Sequence, residues 1–112
     1  MLLAHYEKVH VMHRSFSEKP GGRTLVGVVE HCEAGVARIH GHIYAVDPAT
    51  SKLSRRPEAV TRFISLVSGE HIVTPLPDSV EMENLVYTQD GEGLRVTDGS
   101  SWALHINTLS LQ

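Results

Sequence analysis

A single cysteine, Cys32, excludes an intramolecular disulfide, so the fold has to stand on packing alone. Aromatic side chains make up only 5% of the chain, which leaves Val, Ile and Leu to build the core. Branching at Cβ suits a pleated surface better than a helix, and the composition therefore points to β structure. No apolar run approaches the roughly 18 residues that suggest a membrane span. The apolar start at residues 1–4 runs at once into His5, Tyr6, Glu7 and Lys8, far short of a secretion signal. With one thiol and no visible leader, a reducing cytoplasm is the expected location and no membrane contact is expected. Cys32 has only Glu30 and Glu33 as charged neighbours. A reactive thiolate needs a positive setting, so an inert thiol is expected there.

Cations are nearly missing from the second half. Residues 1–62 hold nine Lys/Arg and six Asp/Glu, and residues 63–112 hold one and seven, giving +3 and −6 for a net charge of −3. An acidic protein of pI about 6.2 is a poor general ligand for nucleic acid. A barrel or sandwich that mixes both halves in space cancels this split, which is the first reading; the second is a molecule whose basic and acidic faces meet in an oligomer.

At 112 residues the chain can bury a core as one domain, 1–112. Its clearest element is residues 24–46, two strand-like runs around Ala34 and Gly35. The second run alternates: Ala37, Ile39, Gly41, Ile43 and Ala45 share one face, and Arg38, His40, His42 and Tyr44 share the other. Residues 1–23 read as a polar, partly mobile arm with a short strand at 8–12, closed by the Pro20-Gly21-Gly22 break. Residues 47–57, with two prolines and three cations, read as a loop.

Residues 59–67 are ambiguous. Val60, Phe63, Ile64 and Val67 have helical spacing, but the set is strand-forming, and a second hairpin with residues 71–76 is the expectation, with room for one helical turn at its start. Asp78 and Glu81 have capping-box spacing, which predicts a short turn at 79–84. A third hairpin at 85–97 and a final strand at 101–111, with Trp102, Leu104, Ile106 and Thr108 on one face, complete an all-β antiparallel barrel or sandwich of about six or seven strands.

Eight histidines raise the question of metal. His40 and His42 lie two apart on one strand face, with Gly41 removing any side chain between them, so both imidazoles can reach one zinc, iron or copper ion. A third ligand would come from His71, His31 or His105. Gly35, His40, His42 and Asp47 resemble the first motif of the cupin barrels, although spacings differ by a residue or more and the second motif, Pro-X-Gly-X-X-His, is absent from the sequence. The resemblance implies a small metal-dependent barrel. The other reading of His40 and His42 is polar surface; the trio His5, His10 and His13 could supply ligands too, but reads first as solvated arm.

Lys52, Arg55, Arg56 and Arg62 form the basic cluster. A small barrel similar to the Sm-like or SH3-like type uses such loops and strand edges for RNA, but no aromatic residues interleave with these cations to stack bases. No phosphate-binding glycine loop, nucleophile elbow or Cys-X-X-Cys is present. The sequence therefore points first to a non-enzymatic interaction domain that self-associates or binds a protein partner through strand edges. The divalent transition-metal site at His40, His42 and His71 stands second, and the RNA-binding barrel third.

Overall fold

The computed structural model describes residues 6–14, 22–90 and 93–106. Five strands, β1 (Lys8–His13), β2 (Arg23–Glu33), β3 (Val36–Asp47), β4 (Lys52–Ser65) and β5 (His71–Pro75), form one antiparallel sheet in the order β4-β3-β2-β1-β5. Three more, β6 (Val86–Asp90), β7 (Gly93–Thr97) and β8 (Ala103–His105), form a second antiparallel sheet in the order β6-β7-β8. The all-β architecture expected from composition is what forms. A closed barrel is not: among the described residues the edge strands β4 and β5 share no ladder. No helix among the described residues is long and apolar enough to cross a membrane.

The β2–β3 hairpin turns on Ala34 and Gly35, at φ 52° and 77°, with Glu33 opposite Val36. Positive φ at both central residues is the two-residue turn whose twist matches the flanking strands. Below the turn, Gly27 and Gly41 lie directly opposite each other. A Cβ on Gly27 would sit 2.8 Å from the Gly41 Cα, and one on Gly41 would sit 2.8 Å from the Val26 carbonyl carbon. Backbone approaches backbone here more closely than any side chain allows, the setting in which paired strands can bend sharply.

Such a bend accounts for a sheet face that is dry with no other layer over it among the described residues. Val9, Val11, Leu25, Val29, Ala37, Ile39, Ile64 and Val73 form one buried cluster, drawn from all five strands of the large sheet. Val9, Val29 and Ile39 have no exposed surface, so the sheet must wrap its own inner face. The outer face is covered differently. Met12, Val26 and Tyr44 pack against Leu76, Val80, Leu85, Tyr87, Val96 and Ile106, most of them from the small sheet and the segment leading to it. Trp102 and Leu104 join this cluster as their alternation predicts; Thr108 lies outside the described residues.

A polar contact ties the layers. Tyr87 reaches from β6 between His10 on β1 and Thr24 on β2, with its hydroxyl 2.8 Å from His10 Nε2 and 2.6 Å from Thr24 Oγ1. One arrangement satisfies all three groups: Thr24 O–H donates to Tyr87, and Tyr87 O–H donates to a neutral His10 Nε2. Burial lowers the His10 pKa to about 4 and raises that of the Tyr87 hydroxyl.

Several expectations from sequence need correction. The short strand expected at 8–12 forms as β1, but it lies in the interior of the sheet, and His10, read as solvated, is buried. His5 and most of the expected Pro-Gly-Gly break lie outside the described residues. The expected loop at 47–57 shrinks to residues 48–51, because β4 begins at Lys52. Pro57 is tolerated because β4 is an edge strand with an irregular ladder, His42 facing Ala59 and Tyr44 facing Arg55. The expected second hairpin does not form, since β5 crosses to pair with β1 and residues 59–65 are strand throughout. The short turn is a 3₁₀ turn at Met82–Asn84 with no side-chain cap from its own N-terminus. Instead the Asp98 carboxylate accepts the Glu81 N–H at 2.9 Å and the Ser100 N–H at 3.0 Å. The Ser100 hydroxyl first, and then those two N–H bonds, hold the Asp98 carboxyl down at about 2.

Two consequences are measurable. Gly41→Ala forces the β2 and β3 backbones apart and should destabilise the protein by about 3 kcal/mol or more, read as a shift of the urea midpoint. His10 binds its proton less readily when folded than the ordinary 6.5, so its contribution to stability is complete above pH 6.5 and is lost as pH falls to about 4. The loss is about 3 kcal/mol. Wild type should weaken by that amount between pH 7 and pH 4 relative to His10→Gln, which starts weaker at pH 7 but lacks this titration.

Candidate functional site

His40 and His42 do share the outer face of β3, as their spacing requires, and β4 brings Arg55 beside them. The cause is the ladder irregularity. Between the pairs His42–Ala59 and Tyr44–Arg55, residue 43 of β3 stands opposite residues 56–58 of β4. This bulged segment sets Arg55 next to Tyr44 on the face that carries the histidines. The result is an open groove of about 240 Å³, floored by Val26, Val28, Gly41 and Met82. Its rim carries His40, His42 and Arg55, with Glu83 from the 3₁₀ turn and the Tyr44 ring.

The rim chemistry follows from these neighbours. Burial lowers the His42 pKa, and the nearby Arg55 charge and His40 lower it further. Tyr44 is raised by burial and pulled back by Arg55. His40 is tied to β4 by Nδ1 at 3.0 Å from the Thr61 hydroxyl. A neutral imidazole beside a guanidinium suits hydrogen bonding to a polar or anionic group, and the Arg55 charge opposes a cation.

His71 is not brought to this pair. It sits on β5 opposite His13 of β1, three strand spacings from β3, and it shares the inner face with Val73. Among the described residues no group of three or more His, Cys, Asp or Glu is gathered as a metal site. The basic cluster also divides. Arg55 faces Tyr44 on the outer face, and Arg62 faces Ile39 on the inner one; Lys52 pairs with Asp47 and Arg56 lies in the bulge.

The second notable surface is the outer edge of β4, which no other strand among the described residues pairs. The Leu66 N–H donates to the Gly35 carbonyl at 2.7 Å, so by ladder alternation even-numbered residues of this stretch bond to β3. Residues 59, 61, 63 and 65 turn their backbone groups to the open side, where the Arg62 guanidinium reaches the Thr61 carbonyl at 3.2 Å. Phe63 is 70% exposed and Val67 80%, with Val36 at 39% beside them. Large apolar groups at an unpaired edge are a template for another strand. The helical spacing of Phe63 and Val67 concealed this. Read with period two, Ala59, Thr61, Phe63, Ser65 and Val67 form one stripe and Val60, Ile64 and Leu66 the buried one.

Two of the other edges are short: β5 has five residues, ends in Pro75 and is followed by Pro77, and β8 has three. The first half of β4 is also protected, because Leu53 packs under the small sheet and Pro57 has no N–H to offer. No protein-family model, no curated protein and no solved structure matches this chain.

Removing the Arg55 charge tests the groove. Arg55→Ala should raise the His42 pKa yet leave it below the ordinary 6.5, because burial, the larger cause, remains. The imidazole proton shifts of His42 followed by NMR against pH would show it.

Proposed function

We propose that the protein is a non-enzymatic interaction and assembly module that pairs with a second copy of itself through residues 59–65 of β4. The observation that carries this reading is the coincidence of an unpaired backbone edge with the exposed side chains of Phe63 and Val67. A two-fold axis at Phe63 gives a self-complementary register. Phe63 then faces Phe63 of the second copy, Thr61 faces Ser65 and Ala59 faces Val67. Aromatic and hydroxyl pairs of this kind favour pairing, whereas a register centred one residue earlier would oppose Arg62 to Arg62 and is disfavoured. The pairing is isologous and closes on itself.

The other two readings draw less support. An ion at His40 and His42 would meet the Arg55 charge, and the cations suggested for RNA point to different faces.

A single short strand pair buries less than about 1,200 Å², so association should be weak and concentration-dependent. Sedimentation or light scattering across the micromolar range should find a monomer–dimer equilibrium. Phe63→Lys should abolish it while changing stability by no more than about 0.5 kcal/mol. A wild type that stays monomeric throughout, or a variant that associates as well as wild type, rejects the proposal.

A further inference from the structure

The β1–β5 ladder ends in two histidines. Leu76 N–H donates to the Lys8 carbonyl at 2.8 Å and Arg14 N–H to the Glu70 carbonyl at 2.7 Å. These bonds mark the hydrogen-bonded positions, and alternation makes His13 and His71 a non-hydrogen-bonded pair, the kind whose side chains stand closest. Their ring centres are 5.5 Å apart and the rings are nearly perpendicular, at 80°. Both follow Val11 and Val73 on the inner face, so they cap the open end of the inner cluster.

His71 Nδ1 is buried and has no hydrogen-bond partner. Native structures rarely leave such a nitrogen without one. The Glu70 carboxylate is close enough to act on His71 electrostatically. Arg14, the nearest cation in sequence, has its Nε committed to the Gly69 carbonyl at 2.7 Å.

We propose that His13 and His71 form a two-histidine site for a divalent transition-metal ion of the copper, nickel or zinc kind. Two imidazoles sharing an ion, with metal–nitrogen distances of about 2.0–2.1 Å, place their ring centres roughly 5 Å apart. The observed separation of 5.5 Å is close to that. Imidazole ligands select this class of ion over calcium or magnesium, which require oxygen. Neither sequence spacing nor the His-X-His pattern marks the pair, because its members are 58 positions apart (71 − 13) and meet only through the β1–β5 register. No third protein ligand joins them among the described residues, so water completes the coordination. The inference does not depend on self-association.

The test uses the full chain without an affinity tag, titrated with Cu²⁺ and followed by calorimetry and electron paramagnetic resonance. Wild type should bind one ion with imidazole nitrogen hyperfine structure, and the ion should raise the melting temperature. His13→Ala and His71→Ala should each weaken binding by at least about tenfold, the loss of one of two protein ligands, while His40→Ala/His42→Ala should bind as wild type does. His13 is exposed, so His13→Ala keeps the comparison valid if His71→Ala does not fold. The proposal fails if wild type shows no saturable binding, if His13→Ala binds unchanged, or if binding is lost in the His40/His42 variant.

Discussion

Everything in this fold rests on the place where Gly27 and Gly41 let two backbones come closer than side chains permit. A sheet that stayed flat at that point would leave Val9, Val29 and Ile39 open to water, since nothing among the described residues lies over them except the sheet itself. Burying an aliphatic side chain of this size contributes about 1.5–3 kcal/mol, so three such residues outweigh the preference of the chain for a side chain at either glycine. The same curl turns the outer face convex, and a convex face cannot dry itself. It has to be covered by a second layer, and the small sheet supplies it.

The two layers are held by unlike means. The inner face is held by an aliphatic cluster, with Arg62 and the pair His13 and His71 at its margins. The outer interface contains His10, Thr24 and Tyr87, three polar groups that are satisfied only by one another. An apolar interface could slide, but a hydroxyl fixed between an imidazole and a second hydroxyl has one register. That register sets the 3₁₀ turn over β3, with Met82 and Glu83 against the groove that His40 and His42 line. The triad is joined to the groove through the Tyr87 ring, 5.2 Å from that of Tyr44, where among the described residues His40 and His42 meet Arg55.

Legibility in the sequence followed contact distance along the chain. The β2–β3 hairpin, the turn at Ala34 and Gly35, the face shared by His40 and His42 and the packing of Trp102 and Leu104 all depend on neighbours within a few positions, and each was readable. The placement of β1 and β5 depends on pairing across some sixty residues, and no local pattern announces it. Residues 8–13 carry two histidines among their apolar positions and therefore resembled a solvated arm; burial of His10 by a tyrosine 77 positions later is invisible from position 10. Pro57 and the cations around it looked like a loop because proline excludes a central strand, yet an edge strand accepts it. Arg55 was singled out as part of a basic cluster, and the bulge that delivers it to His42 instead has no signature short of the ladder itself.

The position of that bulge also explains why β4 carries two characters. Upstream of residue 59 the strand is held on its outer side by Leu53 under the small sheet, interrupted by Pro57 and flanked by Arg55, Arg56 and Glu58, the devices by which edges resist pairing. Downstream, the ladder with β3 is regular from Ala59 to Ser65, and the outward stripe is Ala, Thr, Phe and Ser. A strand that needed only solubility would carry a charge where Phe63 stands, since the inner face gains nothing from a side chain that points away from it. Arg62, the charge adjacent in sequence, has its side chain on the other face, Arg38 stands opposite Phe63 on β3, and Thr61 on the open stripe is bound to His40 at the rim of the groove. Edge and groove are therefore mechanically joined through one hydroxyl, and by linkage a strand seated along residues 59–65 and a group seated against His40 must each alter the affinity for the other if either displaces Thr61.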